Sequence, residues 1–328
     1  MSPVVTFGEI MMRLSAPCHQ RFAQATHFEI AFGGAEANAA VIIAQLGGEA
    51  HFVTRLPKGP LGDRALSELA ARNVGTDHIA RGGNRLGIYF VEQGASQRSS
   101  QVLYDRAQSA FAEAEDGDFH WQRILADTAW FHWSGITPSL SNRAPKIVAE
   151  ASAHARAAGC KISFDMNYRA KLWTAESAGK ILEPLVRDLD LCICGVEEAR
   201  TVFRLEGASP SDIARQLTEQ LGARCVAIPR REAATAGRTL WSAALFIEGS
   251  EYQSRTYELE IVDRIGAGDA FTGALLFAMM RGGAPGEIVE FAAAAGALKH
   301  TVPGDFALVS LAEVEALAAG ADGGRVRR

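Results

Sequence analysis

Residues 263–271 read DRIGAGDAF, a stretch in which two glycines and an aspartate stand directly before an apolar helical run. Gly266 and Gly268 allow the backbone to approach a ligand closely. The opening turn of a helix carries free N–H groups and the positive end of a dipole, which suit an anion. Asp269 stands at that same point, where its carboxylate can act as a general base. The stretch therefore predicts anion stabilisation beside a proton acceptor, the combination that phosphoryl transfer to a hydroxyl needs.

Two familiar nucleotide-binding patterns do not account for this stretch. Phe271 stands where a dinucleotide-binding G-x-G-x-x-G run would have its third glycine, and the stretch lies far from any first strand-to-helix turn. A Walker A loop does not fit either, because no Gly-Lys-Ser/Thr follows. A simple capped turn would give the same local pattern, so the interpretation depends on the rest of the chain.

A second glycine-rich segment supplies that context. Residues 32–40 read FGGAEANAA, with Gly33 and Gly34 directly before a helix that carries Asn38. The two segments, in this order, resemble the two signatures of the PfkB/ribokinase family of sugar and nucleoside kinases, and the resemblance spans essentially the whole chain. It implies a ribokinase-like α/β fold, in which a central, mostly parallel sheet is flanked by helices and a small β-sheet forms a lid. It also implies ATP and Mg²⁺ as cofactors, with activation by K⁺ left open.

Short apolar runs alternate with amphipathic helical segments, which predicts parallel strands joined by crossover helices. The predicted strands cover residues 4–10, 51–55, 129–134, 160–165, 189–194 and 224–229. The predicted helices cover residues 35–46, 61–73, 142–158, 175–187, 197–203, 211–221, 268–281, 285–300 and 311–318. Residues 13–32 and 85–106 show β-type alternation instead and are the expected lid segments, inserted in one kinase domain of residues 1–320. Residues 321–328 are expected to form a disordered tail.

Composition narrows the possible partners. The 328 residues are 48% apolar, which is ample for a large core, and carry a formal net charge of −5. That charge gives no broad attraction to nucleic acid or to an anionic membrane, so an anionic substrate must be held by local arginines and helix ends. The five cysteines are irregularly spaced, which indicates buried free thiols in a reducing compartment. No signal peptide or membrane span is visible, and the expected location is the cytoplasm.

Six further segments narrow the resemblance within the family. They read FGEIMMRL (7–14), RLGIYFVE (85–92), VLYDRA (102–107), FHWSGIT (131–137), FDMNYRAKLW (164–173) and ALKHTVPGDF (297–306). Together they look like the 2-dehydro-3-deoxygluconate kinases more than the ribokinases, fructokinases or adenosine kinases. The resemblance implies that the sugar-acid pocket is lined by Gly33, Gly34, Asn38, Tyr89, Tyr104, Arg106, Arg169 and Asp269.

The chemistry of these residues agrees with an acidic sugar. The carboxylate of an aldonic-type keto acid matches the paired donors of an arginine such as Arg106 or Arg169. Tyr89 and Tyr104 offer hydroxyls on an apolar body, which suit sugar hydroxyls. Arg13 stands near the position where ribokinase-like members carry an aspartate. A cation there fits either an acidic substrate or packing of the lid.

The resemblance also implies a mechanism. Asp269 would accept the proton of the terminal hydroxyl, O6, as that oxygen attacks the γ-phosphorus. The backbone N–H groups of Gly266, Ala267 and Gly268 would stabilise the transferring phosphoryl group. Glu198 would position magnesium through water. The residues implied on the nucleotide side are Gly266, Gly268, Arg230 and Lys299.

Two positions depart from the family pattern. Gly195 stands where the family's Asn-x-x-Glu motif has its asparagine. The family usually carries a basic or threonine residue and a Gly-x-x-Gly turn on the nucleotide side, whereas residues 228–237 read IPRREAATAG and have no such turn. Arg230 or Arg231 could reach a phosphate from this segment, and a solvated charge pair would explain them equally well.

Three alternatives stay open at this point. The chain could be a kinase for another sugar, such as fructose, 2-dehydro-3-deoxygalactonate or a nucleoside. It could be a sugar-acid-binding protein that has lost phosphotransfer, which the altered residues 228–237 would suit. A hydride-transfer enzyme is least favoured, because no G-x-G-x-x-G follows the first strand. An exposed β edge on the lid would also permit a homo-oligomer.

Overall fold

The structure is a computed structural model that describes residues 2–207, 209–235 and 237–320. The predicted tail of residues 321–328 lies outside the described residues. The strands, numbered in chain order, are β1 (Val4–Phe7), β2 (Met11–Ser15), β3 (Glu29–Gly33), β4 (Ala50–Val53), β5 (Arg55–Leu56), β6 (Ala80–Arg81), β7 (Gly87–Glu92), β8 (Gln101–Asp105), β9 (Trp130–Ser134), β10 (Lys161–Asp165), β11 (Leu191–Ile193), β12 (Cys225–Thr235), β13 (Arg238–Ile247), β14 (Ser250–Gln253) and β15 (Tyr257–Glu260).

The ten α-helices of the described residues include one short helix, Trp121–Ile124, that was not predicted, and the other nine begin and end close to their predicted positions. The ten helices are α1 (Ala35–Gln45), α2 (Pro60–Ala70), α3 (Trp121–Ile124), α4 (Ala144–Ala157), α5 (Ala175–Leu185), α6 (Val196–Phe203), α7 (Pro210–Leu221), α8 (Ala267–Arg281), α9 (Pro285–Lys299) and α10 (Leu311–Ala318). Local capping explains several of these boundaries. The side chains of Thr174, Ser209 and Ser310 each accept a hydrogen bond from the backbone N–H three residues later, at the start of α5, α7 and α10.

A large sheet forms the centre of the molecule, with the strand order β14-β13-β12-β11-β10-β9-β1-β4 and with β15 paired to β13. From β4 to β12 all neighbouring strands are parallel. The strands β13, β14 and β15 add to this sheet in antiparallel fashion. The predicted central, mostly parallel sheet flanked by helices is therefore confirmed.

The antiparallel extension was not predicted. The predicted strand at 224–229 continues as β12 to Thr235 and pairs with β13, and residues 238–260 had no predicted strand. Burial along the first half of β13 alternates, from an exposed Arg238 through a buried Thr239 to an exposed Leu240 and a buried Trp241. A strand covered on one face carries such a mixed pattern, which is weaker than the continuous apolar run of a fully covered strand.

Four strands form a small separate sheet, with the order β3-β2-β7-β8. The pair β2–β7 is parallel and the other two pairs are antiparallel. Because side chains alternate between the two faces of a sheet, each row of register partners lies on one face. The row Ala31, Arg13, Tyr89 and Tyr104 crosses all four strands, and the next row is Ile30, Leu14, Phe90 and Leu103.

Two apolar clusters cover the two faces of the large sheet. One cluster joins α1, α8 and α9 to one face of the sheet, and the other joins α4 to α7 to the opposite face. All five cysteines are free, and all but Cys18 are buried, in agreement with the prediction of free thiols.

The packing of α1 against α8 depends on a glycine. A Cβ placed on Gly273 would lie 2.4 Å from Ile42 Cγ2 and 2.5 Å from the carbonyl oxygen of Ala39. The two helix backbones therefore approach each other more closely than any larger residue at position 273 would allow.

We expect Gly273→Ala to destabilise the fold by about 1–3 kcal/mol, because an added methyl group overpacks this contact. The matched control is Gly286→Ala in α9, where a Cβ would have its nearest neighbour at 3.9 Å. That change should be neutral or stabilising by up to about 1 kcal/mol, since alanine favours helix more than glycine does. Urea unfolding monitored by circular dichroism measures both values, and equal effects of the two substitutions would contradict the packing argument.

Candidate active site

A cavity of about 950 Å³ opens between the large sheet, the small sheet and the start of α8. Its walls include residues at the carboxyl ends of parallel strands, such as Asp165 at the end of β10 and Gly195 after β11. Ligands of open α/β sheets bind at this edge. The structure brings to this one cavity all the predicted site residues except Lys299: Gly33, Gly34, Asn38, Tyr89, Tyr104, Arg106, Arg169, Glu198, Arg230, Gly266, Ala267, Gly268 and Asp269.

The loop before α8 has the form that an anion site requires. Gly266 is the residue before the helix and has φ +87°, and a Cβ there would lie 2.0 Å from the carbonyl oxygen of Asp305. Both facts demand glycine. A Cβ on Gly268 would meet no atom within 4 Å, so this glycine faces open space.

Two of the three predicted amide donors are available to a ligand. The N–H of Ala267 donates to the carbonyl oxygen of Arg264 at a long 3.3 Å. Within the part of the chain that the structure describes, the N–H groups of Gly266 and Gly268 have no hydrogen-bond acceptor. These two amides, at the positive end of the α8 dipole, are the groups best placed to stabilise an anion in the cavity.

Asp269 is held in place by Asn38. The Asn38 side-chain amide donates to Asp269 Oδ2 at 2.7 Å, while its own carbonyl oxygen accepts from the Gly34 N–H at 3.3 Å. Burial raises the pKa of Asp269 to about 6, against the opposing effects of the Asn38 hydrogen bond and the Arg169 charge. The group is therefore ionised at neutral pH but close enough to neutrality to accept a proton.

Two further carboxylates lie near Asp269. The pKa of Asp165 is raised well above its usual value, first by burial and then by the charges of Glu198 and Asp269. Both oxygens of Glu198 accept backbone N–H groups, from Gly195 at 2.8 Å and from Tyr168 at 3.1 Å. Like charges in such proximity are relieved by a cation.

These carboxylates fit magnesium that is held largely by nucleotide and water. In residues 2–207, 209–235 and 237–320 no group of three or more acidic, histidine or cysteine side chains is arranged to hold a metal directly. Mg²⁺ typically keeps several waters and uses few protein carboxylates. Since the Glu198 oxygens already accept the backbone N–H groups of Gly195 and Tyr168, contact through water is the mode that suits this residue.

The small sheet brings the two predicted tyrosines, Tyr89 and Tyr104, to the wall of the cavity. Their rings stack, with centroids 5.9 Å apart and planes 29° apart. The buried Tyr89 donates its hydroxyl to Asp305 Oδ2, whereas Tyr104 is 40% exposed and lines the cavity. Tyr104 is thus the better placed of the two to meet a substrate directly.

Arg106 and Arg169 differ in a way that the sequence did not indicate. Arg106 donates to Glu9 through Nε at 2.8 Å and through a second, shorter bond, so its charge is already balanced. Arg169 is exposed, and among the described residues it forms no salt bridge. An incoming carboxylate therefore finds at Arg169 a cation that has no salt-bridge partner among the described residues, and at Arg106 a cation already paired with Glu9.

Arg13 serves packing between the two sheets rather than an acidic substrate. Its guanidinium is 2% exposed and lies 2.7 Å from Asp263 Oδ2 and 2.9 Å from Asp305 Oδ1. Its Nε donates to Ser15 Oγ at 2.7 Å. The two alternatives left by the sequence are thereby resolved in favour of packing.

The nucleotide side of the prediction is corrected at Lys299. Lys299 has no exposed surface and does not line the cavity, and its ammonium donates to the carbonyl oxygens of Asp263 at 3.3 Å and Val302 at 3.0 Å. Arg230 does line the cavity, in a long contact of 3.4 Å with Glu251. The pKa of Arg231 is lowered by burial and by the nearby charges of Arg264 and Arg169, so this wall of the cavity is rich in positive charge.

Sequence reasoning missed several residues of the cavity. Glu9 and Asp305 lie inside segments used for the resemblance, but their partners are 97 and 216 residues away, at Arg106 and Tyr89. Trp241 contributes an apolar wall from the unpredicted strand β13, with its Nε1 donating to the Ala293 carbonyl oxygen at 2.9 Å. No signal in a single sequence pairs such distant positions.

Comparison with known proteins agrees with this fold. The model of the pfkB family carbohydrate kinases matches residues 1–309, and the chain belongs to this family. A solved structure of 2-dehydro-3-deoxygluconokinase from Thermotoga maritima has 47% identity and a TM-score of 0.96, covering 97% of this chain and 98% of its own. The chain is a carbohydrate kinase with a ribokinase-like fold.

Two curated relatives differ in their named substrate. The 2-dehydro-3-deoxygalactonokinase of Haloferax volcanii is 36% identical over 323 residues, covering 98% of both chains. The 2-dehydro-3-deoxygluconokinase of Thermoproteus tenax is 27% identical over 322 residues, covering 97% of this chain and 94% of its own. In the ranges that the structure describes, no helix has both the length and the apolar character needed to cross a membrane.

The pKa of Asp269 predicts the acid limb of the pH profile. As the pH falls through about 6, the carboxylate takes up a proton and can no longer accept one from a substrate. We expect kcat/KM to fall below that pH with a slope approaching one log unit per pH unit. Steady-state assays at saturating ATP and Mg²⁺ measure it, and a profile that stays flat down to pH 5 would contradict the assignment.

Proposed function

We propose that this chain transfers the γ-phosphoryl group of ATP to O6 of 2-dehydro-3-deoxy-D-gluconate, giving 2-dehydro-3-deoxy-6-phosphogluconate in sugar-acid catabolism. The observation that carries the proposal is the pairing of Asp269 with Asn38 beside the free amides of Gly266 and Gly268. Asp269 as the base and the two amides as the anion site then face one cavity. Arg169 lines the same cavity and can bind the carboxylate of the sugar acid. A cytoplasmic location is part of the proposal and is supported by the free, mostly buried cysteines.

The proposed mechanism assigns a task to each wall of the cavity. Asp269 accepts the proton of the terminal hydroxyl while the amides of Gly266 and Gly268 stabilise charge on the transferring group. Arg169 and Tyr104 orient the sugar acid. When bound, Mg²⁺ would neutralise the charge of the nucleotide phosphates, and Asp165 and Glu198 would hold it through water.

The nucleotide phosphates have a further source of positive charge in this chain. Arg231 and Arg264 line the same cavity as the α8 loop, and the charge of Arg264 lowers the pKa of Arg231. Bound polyphosphate would relieve this repulsion. We propose that these arginines serve on the nucleotide side in place of the family's usual turn, with Arg230 beside them.

The small sheet is proposed to act as a lid. It contributes Tyr89, Tyr104 and Arg106 to the cavity. Closing such a wall over the sugar would exclude water, which otherwise competes as the phosphoryl acceptor.

A kinase for 2-dehydro-3-deoxygalactonate is the second candidate, because the Haloferax volcanii relative carries that name at 36% identity. The two sugar acids differ in the configuration of a single hydroxyl, so both can present the same carboxylate and the same terminal hydroxyl to the site. The choice between them rests on contacts to that hydroxyl.

We expect ADP release with 2-dehydro-3-deoxygluconate to exceed that with the galactonate isomer, fructose or ribose in a coupled assay. Asp269→Asn should lower kcat by at least ~10²-fold, because the general base is lost. The variant should stay folded and be no less stable than wild type at pH 8, since a carboxylate with a raised pKa costs stability when ionised. Equal turnover by wild type and variant would refute the role of Asp269.

Two other results would redirect the proposal. Faster turnover of the galactonate isomer would favour the second candidate. Calorimetric binding of the keto acid without ADP release, at any ATP or GTP concentration, would favour the sugar-acid-binding protein considered from the sequence.

We also propose that the outer face of the small sheet joins two copies of the chain. The row Ile30, Leu14, Phe90 and Leu103 faces away from the cavity, and its end members are 65% and 50% exposed. An apolar row that ends at two exposed sheet edges favours pairing with another sheet.

We expect the double substitution Ile30→Lys and Leu103→Lys to convert an oligomer to a monomer in light scattering after gel filtration, because charge on the outer row opposes its burial. The control is Leu61→Lys on α2, a leucine that is 48% exposed elsewhere on the molecule. A wild-type chain that is monomeric at assay concentration would contradict this part of the proposal.

A further inference from the structure

Four charged side chains are buried together behind the loop that precedes α8. Arg13, Asp263, Asp305 and Lys299 are exposed by 2%, 4%, 3% and 0%, and their formal charges balance. Charged groups are seldom buried so completely unless they are paired. Lys299 is the member to which no role has yet been assigned.

Lys299 differs from the other three in its partners. Arg13 forms salt bridges with both aspartates, whereas no salt bridge of Lys299 occurs within the described ranges. Its Nζ instead donates to two backbone carbonyl oxygens, those of Asp263 at 3.3 Å and Val302 at 3.0 Å. Burial lowers the pKa of Lys299, and the charges of Asp263 and Asp305 oppose that effect.

The two carbonyl groups belong to segments that frame Gly266. Asp263 begins the segment that leads to Gly266, and its carboxylate accepts the N–H groups of Ile265 and Gly304, each at 3.1 Å. The carbonyl oxygen of Asp305, three residues after Val302, abuts Gly266. The ammonium thus joins both segments at the base of the α8 loop.

Removal of this ammonium would leave two carbonyl dipoles directed at the same empty volume. Unpaired buried carbonyl groups cost free energy, and the two segments could recover it by moving apart toward water. Such a movement would turn the amides of Gly266 and Gly268 away from the cavity. A bare monovalent cation of similar charge could replace the ammonium between the same two oxygens.

We propose that Lys299 is a positioning residue whose ammonium acts as a built-in monovalent cation, holding residues 263–268 in the conformation that binds the transferring phosphoryl group. The inference rests on the proposed phosphotransfer. Under this proposal Lys299 holds the loop and does not contact the nucleotide, contrary to the prediction from the sequence. Activation by K⁺, which the sequence left open, is not expected, because the ammonium of Lys299 already supplies a monovalent cation at this position.

The first test uses the wild-type enzyme. Its kcat should be the same in buffers whose monovalent cation is K⁺, NH₄⁺ or tetramethylammonium, the last being too large to enter the protein. A requirement for K⁺ or NH₄⁺ in the wild type would overturn the proposal.

The second test is Lys299→Ala, which removes the ammonium and leaves room for a small cation. In tetramethylammonium buffer kcat should fall by about 10²-fold, the order of loss that a small misplacement of catalytic groups causes. KM for the sugar acid should change far less, because Lys299 does not touch the cavity. NH₄⁺ or methylammonium should restore part of kcat and raise the unfolding temperature of the variant, a rescue that a merely structural lysine would not give.

The matched control is Lys180→Ala on α5, a lysine that is 74% exposed and paired with Glu176. It should show wild-type kcat and no response to the cation. Lys299→Met tests the charge with a side chain of similar length, and a folded Lys299→Met enzyme with wild-type kcat would overturn the proposal. Absence of rescue by every small cation in a folded Lys299→Ala enzyme would do the same.

These outcomes can be separated from a failure of the proposed function. If the wild type phosphorylates no sugar acid, the proposed reaction is wrong. The cation-specific rise in the unfolding temperature of Lys299→Ala then still reports whether a small cation replaces the ammonium. If the Lys299→Ala variant does not fold, the wild-type cation series and Lys299→Met decide the matter.

Discussion

The buried ion pairs of Arg13 with Asp263 and Asp305 are the constraint on which the arrangement of the site depends. The guanidinium of Arg13, on strand β2 of the small sheet, lies 2.7 Å from Asp263 Oδ2 and 2.9 Å from Asp305 Oδ1. These contacts join the small sheet to two segments beside the large sheet. Breaking such a pair by removing one partner typically costs about 3–5 kcal/mol, because an uncompensated charge stays buried. The position of the small sheet beside the cavity is therefore tied to the loop that precedes α8.

Asp305 extends this constraint to both glycine-rich segments. A Cβ on Gly33 would lie 2.1 Å from Asp305 Oδ2, and one on Gly266 would lie 2.0 Å from the Asp305 carbonyl oxygen. Tyr89 also donates its hydroxyl to this carboxylate. The glycines that identified the family are thus required in part because one buried aspartate lies against both glycine-rich segments.

The sequence predicted the strands and helices well, but it predicted the pairing and burial of the charged side chains less well. It located the parallel strands and the long helices, because each has its own apolar periodicity, and nearly every residue of the predicted site lines the cavity. The sequence did not show that Arg106 is paired with a carboxylate whereas Arg169 is not, because the partner of Arg106 is Glu9, which lies 97 residues away in the chain. It also assigned Lys299 to the nucleotide, because a lysine near a helix end gives no sign of being fully buried.

What the sequence determined by itself was local: the glycine-rich turn at 266–268, the aspartate beside it, and the alternation of strands and helices that predicts the fold. These follow from backbone freedom, helix dipoles and side-chain periodicity, which act over a few residues. Tertiary structure alone decided which charges are paired. Arg13 and Asp305 are 292 residues apart, and the large energies of buried charges depend on which groups the fold brings within hydrogen-bond distance.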